Sequence, residues 1–418
     1  MTPELNRRLL LRAGVVALGS MAVPLIAGCE GVIAGATPPS RTTDPAAARA
    51  TPSPATLSGD SGIPRPVQSA SYGPNATHYP ADLPWLGETA AKEVEVDCTW
   101  TAIAAAVKTL TAAQVAAGVT IRVRPGELPG AGSGSTAKPV LSLVGSDKWK
   151  RNVLICPRDG YGTVTVSASG IRMDQCGHLS FFGFASEGGF VFTRCMAMQM
   201  GWGRWSSANA TIGGIDIAMY ELVVGFRRNE NDTSGIRPSG ENPMTNVTRH
   251  GCTFGPSIKT AGSGAHSDTI QLEGVGTGTF GPFISVDCVD YGSSNAVIQV
   301  QPRVTRVEYR HSLLLGGELP WRVFPLQDGD YVSAPNALSG RCNDVQLYDS
   351  VVCGAIGALT YTRVENTLLS YQPQAKQQPT VSGTWTVDTG ITSWDAEQIM
   401  GMQSTGYTAA ELTQLWRW

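Results

Sequence analysis

Apolar and polar positions follow two different rhythms along this chain. Ile103, Val107 and Leu110 fall at helical spacing within 102–110, after Cys98-Thr99-Trp100-Thr101, and predict one clear helix. After a turn, Gly118-Val119-Thr120-Ile121-Arg122-Val123-Arg124 alternates until Pro125-Gly126 stops it, which predicts a strand. From residue 150 onward, short strand-like runs are broken by Gly, Asn, Asp and Ser, with almost no helical period.

Two kinds of run then recur. The longer kind is read at Val247 to Gly255 (with Cys252), Ile284 to Gly292 (Cys288), Val307 to Gly316 (Ser312) and Val345 to Gly354 (Ser350). The shorter kind is Ser234-Gly-Ile-Arg237, Asp268-Thr-Ile-Gln271, Ala296-Val-Ile-Gln299 and Trp321-Arg-Val-Phe324. Two strand types returning every ~20–40 residues are what a solenoid of coils produces, because each coil buries its inner face only against its neighbours. A β-sandwich would not require like residues at like places. Thr408-Ala409-Ala410-Glu411 forms a capping box before Leu412, Leu415 and Trp416, so a C-terminal helix is expected to cover the last coil.

The first 29 residues read differently. Asn6-Arg7-Arg8-Leu9-Leu10-Leu11-Arg12 is a positive segment with paired arginines, and Ala13 to Ala27 is apolar but shorter than the ~18–20 residues of a membrane-spanning helix. Leu25-Ile26-Ala27-Gly28-Cys29 resembles a lipobox, and the arginine pair resembles a twin-arginine export motif. That resemblance implies acylation at Cys29 and a lipid-anchored protein at the outer face of a bacterial cytoplasmic membrane or elsewhere in the envelope. Residues 30–80 are Ala, Pro, Ser, Thr and Gly with few large hydrophobes, the composition of a flexible tether. The expected organisation is 1–29 signal, 30–80 linker, 81–418 folded domain.

Composition narrows the partners. Only 16% of residues are charged and the net charge is −3, so no basic field exists for nucleic acid, and 48 glycines suit an all-β protein with many tight turns. Beside Cys29, the cysteines at 98, 156, 176, 195, 252, 288, 342 and 353 form an even set that permits disulfides but equally suits buried small hydrophobes. No zinc spacing, phosphate loop or nucleophile motif occurs. No cofactor is indicated, calcium is possible but not indicated, and a monomer is expected.

The helix followed by Val119-Thr-Ile-Arg-Val-Arg-Pro-Gly126 resembles the N-terminal cap and first strand of right-handed parallel β-helix proteins, the pectate-lyase-like superfamily. Within it, His266-Ser267-Asp268-Thr269-Ile270-Gln271 resembles the Asn-Thr-Asp-Gly-Ile strand of polygalacturonase-type glycoside hydrolases. The resemblance implies that Asp268 is a catalytic acid or base at the cleft, that His266 takes the Asn position and that Ile270 is buried. The family's Asp-Asp pair is missing: the next short strand reads Ser294-Asn-Ala-Val-Ile-Gln299. Hydrolysis, which normally uses two carboxyl groups, would need a second acid from Asp232, Glu241 or Glu273.

Aligning the short strands on their isoleucines places Arg237, Gln271 and Gln299 in one ladder, with Trp321 and Arg322 extending it and Asp232 at the offset of His266. Arg237 joins Asp268 and His266 as a candidate catalytic residue; Gln271, Gln299, Asp232, Arg322 and Trp321 are candidate binding residues. Such a row suits a sugar chain, since amides bond hydroxyls, Trp offers an apolar platform, and Arg neutralises a uronate carboxylate while His accepts its neighbouring proton. Arg249-His250, on the other strand type, and the Met196 to Trp205 stretch read as structural. The expected function is polysaccharide cleavage, by a lyase or glycosidase; the alternative is a non-catalytic glycan-binding or structural envelope lipoprotein.

Overall fold

In the computed structural model, the described residues are 78–80, 83–84, 89–160, 162–273, 277–320, 335–357, 359–373, 385–395 and 398–399. Cys29, Trp321, Arg322 and the expected C-terminal helix lie outside them. Every strand pairing among the described residues is parallel, and each strand pairs with its equivalent one coil away. The chain is a parallel β-helix.

Each coil passes through three walls. The first carries the short strands Ser234–Arg237, Asp268–Leu272, Ala296–Val300 and Asn336–Gly340. The second carries Met244–His250, Phe283–Val286, Val307–Arg310 and Val345–Tyr348. In the earlier coils Phe190–Gly201 and Ala208–Tyr220 run through the corner between these two walls, which merges them into one 17-stranded sheet. The third wall is an eight-stranded sheet of short strands such as Thr253–Phe254 and Val289–Tyr291.

Helix α1 (Trp100–Lys108) covers the N-terminal end. Thr99 caps it by accepting the Ala102 amide at 3.1 Å, and it turns Trp100, Ile103 and Val107 onto the first strands, Lys92–Val96 and Val119–Val123. A second short helix, α2 (Ala112–Ala117), has a full capping box between Thr111 and Gln114. The sequence reading had only a turn there.

One corner is built to a fixed rule. From Gly177–Phe182 onward, each second-wall strand is followed by a single residue in the left-handed region: Gly183, Trp202, Glu221, Gly251, Asp287, His311, Asp349 and Asn366. For non-glycine residues this costs ~1–2 kcal/mol each, offset by side-chain bonding along the ladder. Asn366 Nδ2 donates to Asp349 Oδ1 at 3.0 Å, and Asp287 lies between His311 Nδ1 (2.9 Å) and His78 Nε2 (2.8 Å). His78 and Tyr79 fall inside the segment expected as linker, yet both are buried, Tyr79 against Phe182 and Trp202. The packed chain therefore includes residues assigned to the tether.

A fully buried ion pair lies inside the coils. Arg249, 1% exposed, makes a two-pronged contact with Asp290 at 2.8 and 2.7 Å, bonds Ser285, and lies between the rings of Phe254 and Phe283. The eight described cysteines are free thiols, and all but Cys98 are buried.

Candidate functional site

The third corner, where the chain returns to the first wall, has no fixed length. Here the coil that enters the Ser234–Arg237 strand leaves its third wall at Val224 and carries Gly225-Phe226-Arg227-Arg228-Asn229-Glu230-Asn231-Asp232 around the bend. Phe226, buried with its ring near Tyr291, anchors the bend. A side chain at 255 on the next coil would sit 2.2 Å from that ring, so only glycine fits there. Arg227–Arg228 pairs with Ser257–Ile258, and Glu230 accepts the Thr260 amide at 2.9 Å and the Ser263 hydroxyl. These bonds tie the loop bearing His266 to the bend bearing Asp232.

A groove of about 440 Å³ opens at this corner, lined by Asn209, Thr211 and Arg237 on the first wall, by Arg227, Asn229 and Asp232 on the bend, and by the Ser133–Ser135 loop. Asp232 is nearly covered; its Oδ2 accepts from Arg237 Nη2 at 2.5 Å and its Oδ1 from the Asp268 amide at 2.9 Å. Burial pushes its pKa up to about 6 against the opposing pull of the Asp268 amide and the Arg237 charge.

Asp268 is fully buried. Its Oδ1 accepts from Asn295 Nδ2 at 2.6 Å, and its Oδ2 lies 3.1 Å from Nδ1 of His266, whose side chain is more than half exposed. That contact raises the His266 pKa despite burial, and the charges of Asp268 and Asp232 add to it. The resemblance put Asp268 itself at the cleft; the structure puts it behind His266, where it can orient and charge the imidazole but not touch a ligand.

The ladder also differs from expectation. Gln271 and Gln299 stand in register, as do Ile270 and Ile298. The preceding coil is displaced by two: Ile236 stands opposite Leu272, and Gly235 opposite Gln271. Continuing this register sets Asp232 against Asp268, rather than at the offset of His266, and Arg237 against Glu273. Arg237 Nε lies 2.8 Å from the Glu273 carboxylate, and its Nη2 reaches sideways to Gln271 Oε1. A slip of two residues keeps every side chain on its own face, so the hydrophobic pattern cannot register it. Glu241 is exposed and lies outside the groove lining.

Arg227, Asn209, Asn229 and Asn295 were not among the sequence candidates. The polar run Arg227 to Asp232, directly after a buried aromatic, was the available signal. Among the described residues, no three His, Cys, Asp or Glu side chains are grouped to hold a metal ion.

No protein-family model matches this chain, and no curated protein matches it. Solved structures similar to it include two at 12% identity. An alginate lyase from Paenibacillus sp. str. FPU-7 has a TM-score of 0.33, over 65% of this chain and 98% of that one. The PL6 family alginate lyase AlyGC has a TM-score of 0.34, over 66% of this chain and 43% of the lyase, less than half its length. The fold assignment rests on the strand pairings themselves.

Proposed function

We propose that this chain is an exported, Cys29-anchored enzyme that cleaves a polysaccharide in the groove at the third corner. The observation that supports this reading is a run of contacts from Asp232, which lines the groove, through Asp268 to His266 on the next coil, outside the lining. Asp232 titrates at about 6 and His266 above its ordinary value, while Arg237 and the buried Asp268 hold them in place. Groups whose pKa values are displaced toward neutrality in a polar groove are suited to general acid–base work. Ser and Asn side chains along the walls supply hydrogen bonds for sugar hydroxyls.

Two-carboxylate hydrolysis fits poorly, because Asp268 is buried and its Oδ1 is committed to Asn295. Elimination fits better. At neutral pH Asp232 is ionised and takes the proton next to a sugar carboxyl; the freed electron pair forms the carbon–carbon double bond, and the adjacent C–O bond breaks. Protonated His266 supplies the proton to the departing oxygen. Incubating the protein with a panel of acidic and neutral polysaccharides tests this directly. Unsaturated products absorbing in the ultraviolet are expected; reducing ends without unsaturation would replace elimination by hydrolysis, and binding without products would leave a glycan-binding protein.

A further inference from the structure

Arg227 differs from the other arginine of the groove. Arg237 is held by two carboxylates, Asp232 and Glu273. Arg227 is held by none: no carboxylate lies within ion-pair distance among the described residues, and its buried Nε meets no acceptor. Burial, with no charge partner to oppose it, pulls its pKa down to about 10, which still leaves it a full cation at neutral pH. The side chain is half-buried with its Nε fully covered, and a cation drawn partly out of water without a counter-charge weakens the fold unless something uses it.

Its setting is rigid. Phe226 is buried immediately before it, its amide donates to Pro256 O at 3.1 Å, and its strand pairs with Ser257–Ile258. The side chain lines the groove beside Asn209, Asn229 and Arg237. A planar donor fork fixed in a polar groove, lacking its counter-charge, is made to receive an oxyanion.

We infer that Arg227 is the groove's anion receptor, binding an oxyanion substituent, a carboxylate or a sulfate ester, on an acidic sugar chain. This inference rests on the polysaccharide reading of the same groove and names the class of polymer it selects. Neutral chains would leave the guanidinium desolvated and unmatched, so discrimination comes as much from that penalty as from the bond formed. The receptor is kept at the expense of the fold, since ligand-free stability is lower with a half-buried cation that has no counter-charge than with a neutral side chain of similar size.

The test compares the full-length protein with Arg227→Gln and Arg227→Lys, using oligoglucuronate, a sulfated oligosaccharide and a neutral oligoglucan of equal length. Calorimetric affinity and thermal midpoint are both read. Wild type is expected to bind an acidic oligomer at least tenfold more tightly than the neutral one. Arg227→Gln should lose that preference while melting higher without ligand, and Arg227→Lys should retain part of it. Which acidic oligomer wins identifies carboxylate or sulfate. An equal preference in Arg227→Gln, or none in wild type, overturns the receptor. Arg227-dependent binding with no cleavage leaves the receptor standing and sinks the enzyme; cleavage of the acidic oligomer by Arg227→Gln with unchanged rate and affinity does the reverse.

Discussion

Asp232 and Asp268 face one another from neighbouring coils, joined by the Asp268 amide, which donates to Asp232 Oδ1 at 2.9 Å. The two carboxylates have unlike surroundings. Asp232 borders the groove with Arg237, whereas Asp268 is sealed behind His266 and Asn295. Stacked strands place like side chains ~4.8 Å apart, so a parallel β-helix can set acid, base and cation side by side from sequence-distant coils.

Asp232 as the base predicts a rate that rises with pH through about 6, where its carboxyl ionises, and falls once His266 loses its proton above the ordinary histidine range. Asp232→Asn should lower kcat by about 10²–10⁴. It should also be more stable than wild type above pH 6. The raised pKa favours folding most below the unfolded value of 3.8, and that contribution is lost as pH rises through about 6. Steady-state kinetics and melting curves across pH 4–8 check both.

His266→Ala and Asp268→Asn should separate. The first removes a half-exposed proton donor and should abolish cleavage with a smaller drop in melting temperature than the second. The second leaves the Asn295 amide facing another amide in a buried place, and should lower stability by about 1–3 kcal/mol as well as lowering kcat. Equal stability of the two variants would contradict the burial of Asp268.

Arg249→Met should destabilise the solenoid by about 3–5 kcal/mol, because Asp290 is then left charged inside the coils. The paired change Arg249→Met with Asp290→Leu should recover most of that loss. Urea titration of wild type and the two variants measures it, and a double variant no better than the single would show that the pair itself supplies the stability.

His78 is pushed up to about 9. Burial alone would lower it, but bonds to Asp287 and Glu221 and their charges outweigh burial. The stability it contributes is complete below the unfolded value of 6.5 and is lost as pH rises through about 9. Glu221, raised by its own burial, binds its proton more readily in the fold and acts in the same direction. His78→Gln should therefore cost about 3 kcal/mol at pH 6, and the gap should close by pH 10. Melting curves of both proteins over that range check it.

Parts of the coil were legible from sequence for a physical reason. Cys252, Cys288, Ser312 and Ser350 recur because each directly follows the left-handed corner residue and precedes a third-wall strand. Small side chains are packed tightly there, and tight packing leaves a visible mark. The first-wall alignment was less legible, since displacing Ile236 onto Leu272 leaves inside and outside unchanged. Arg249 was read as structural, but its partner Asp290 lies on another wall, joined only by three-dimensional closure. Asn295 was passed over because it is not an acid, although it is the group that holds Asp268. Arg227 lacked any motif; its meaning comes from the absence of a counter-charge, which linear order does not show.

The corner that spends one left-handed residue per coil fixes where this architecture can change. An insertion there would break the ladder that runs through Asp287, His311 and Asp349, so that side acts as an inextensible hinge line. The opposite corner is free of that rule, with bends as different as 225–233 and 255–267 between the same two walls. Lengthening a bend by a few residues costs little in closure entropy. New groove walls can thus be added to this scaffold without re-registering a single strand.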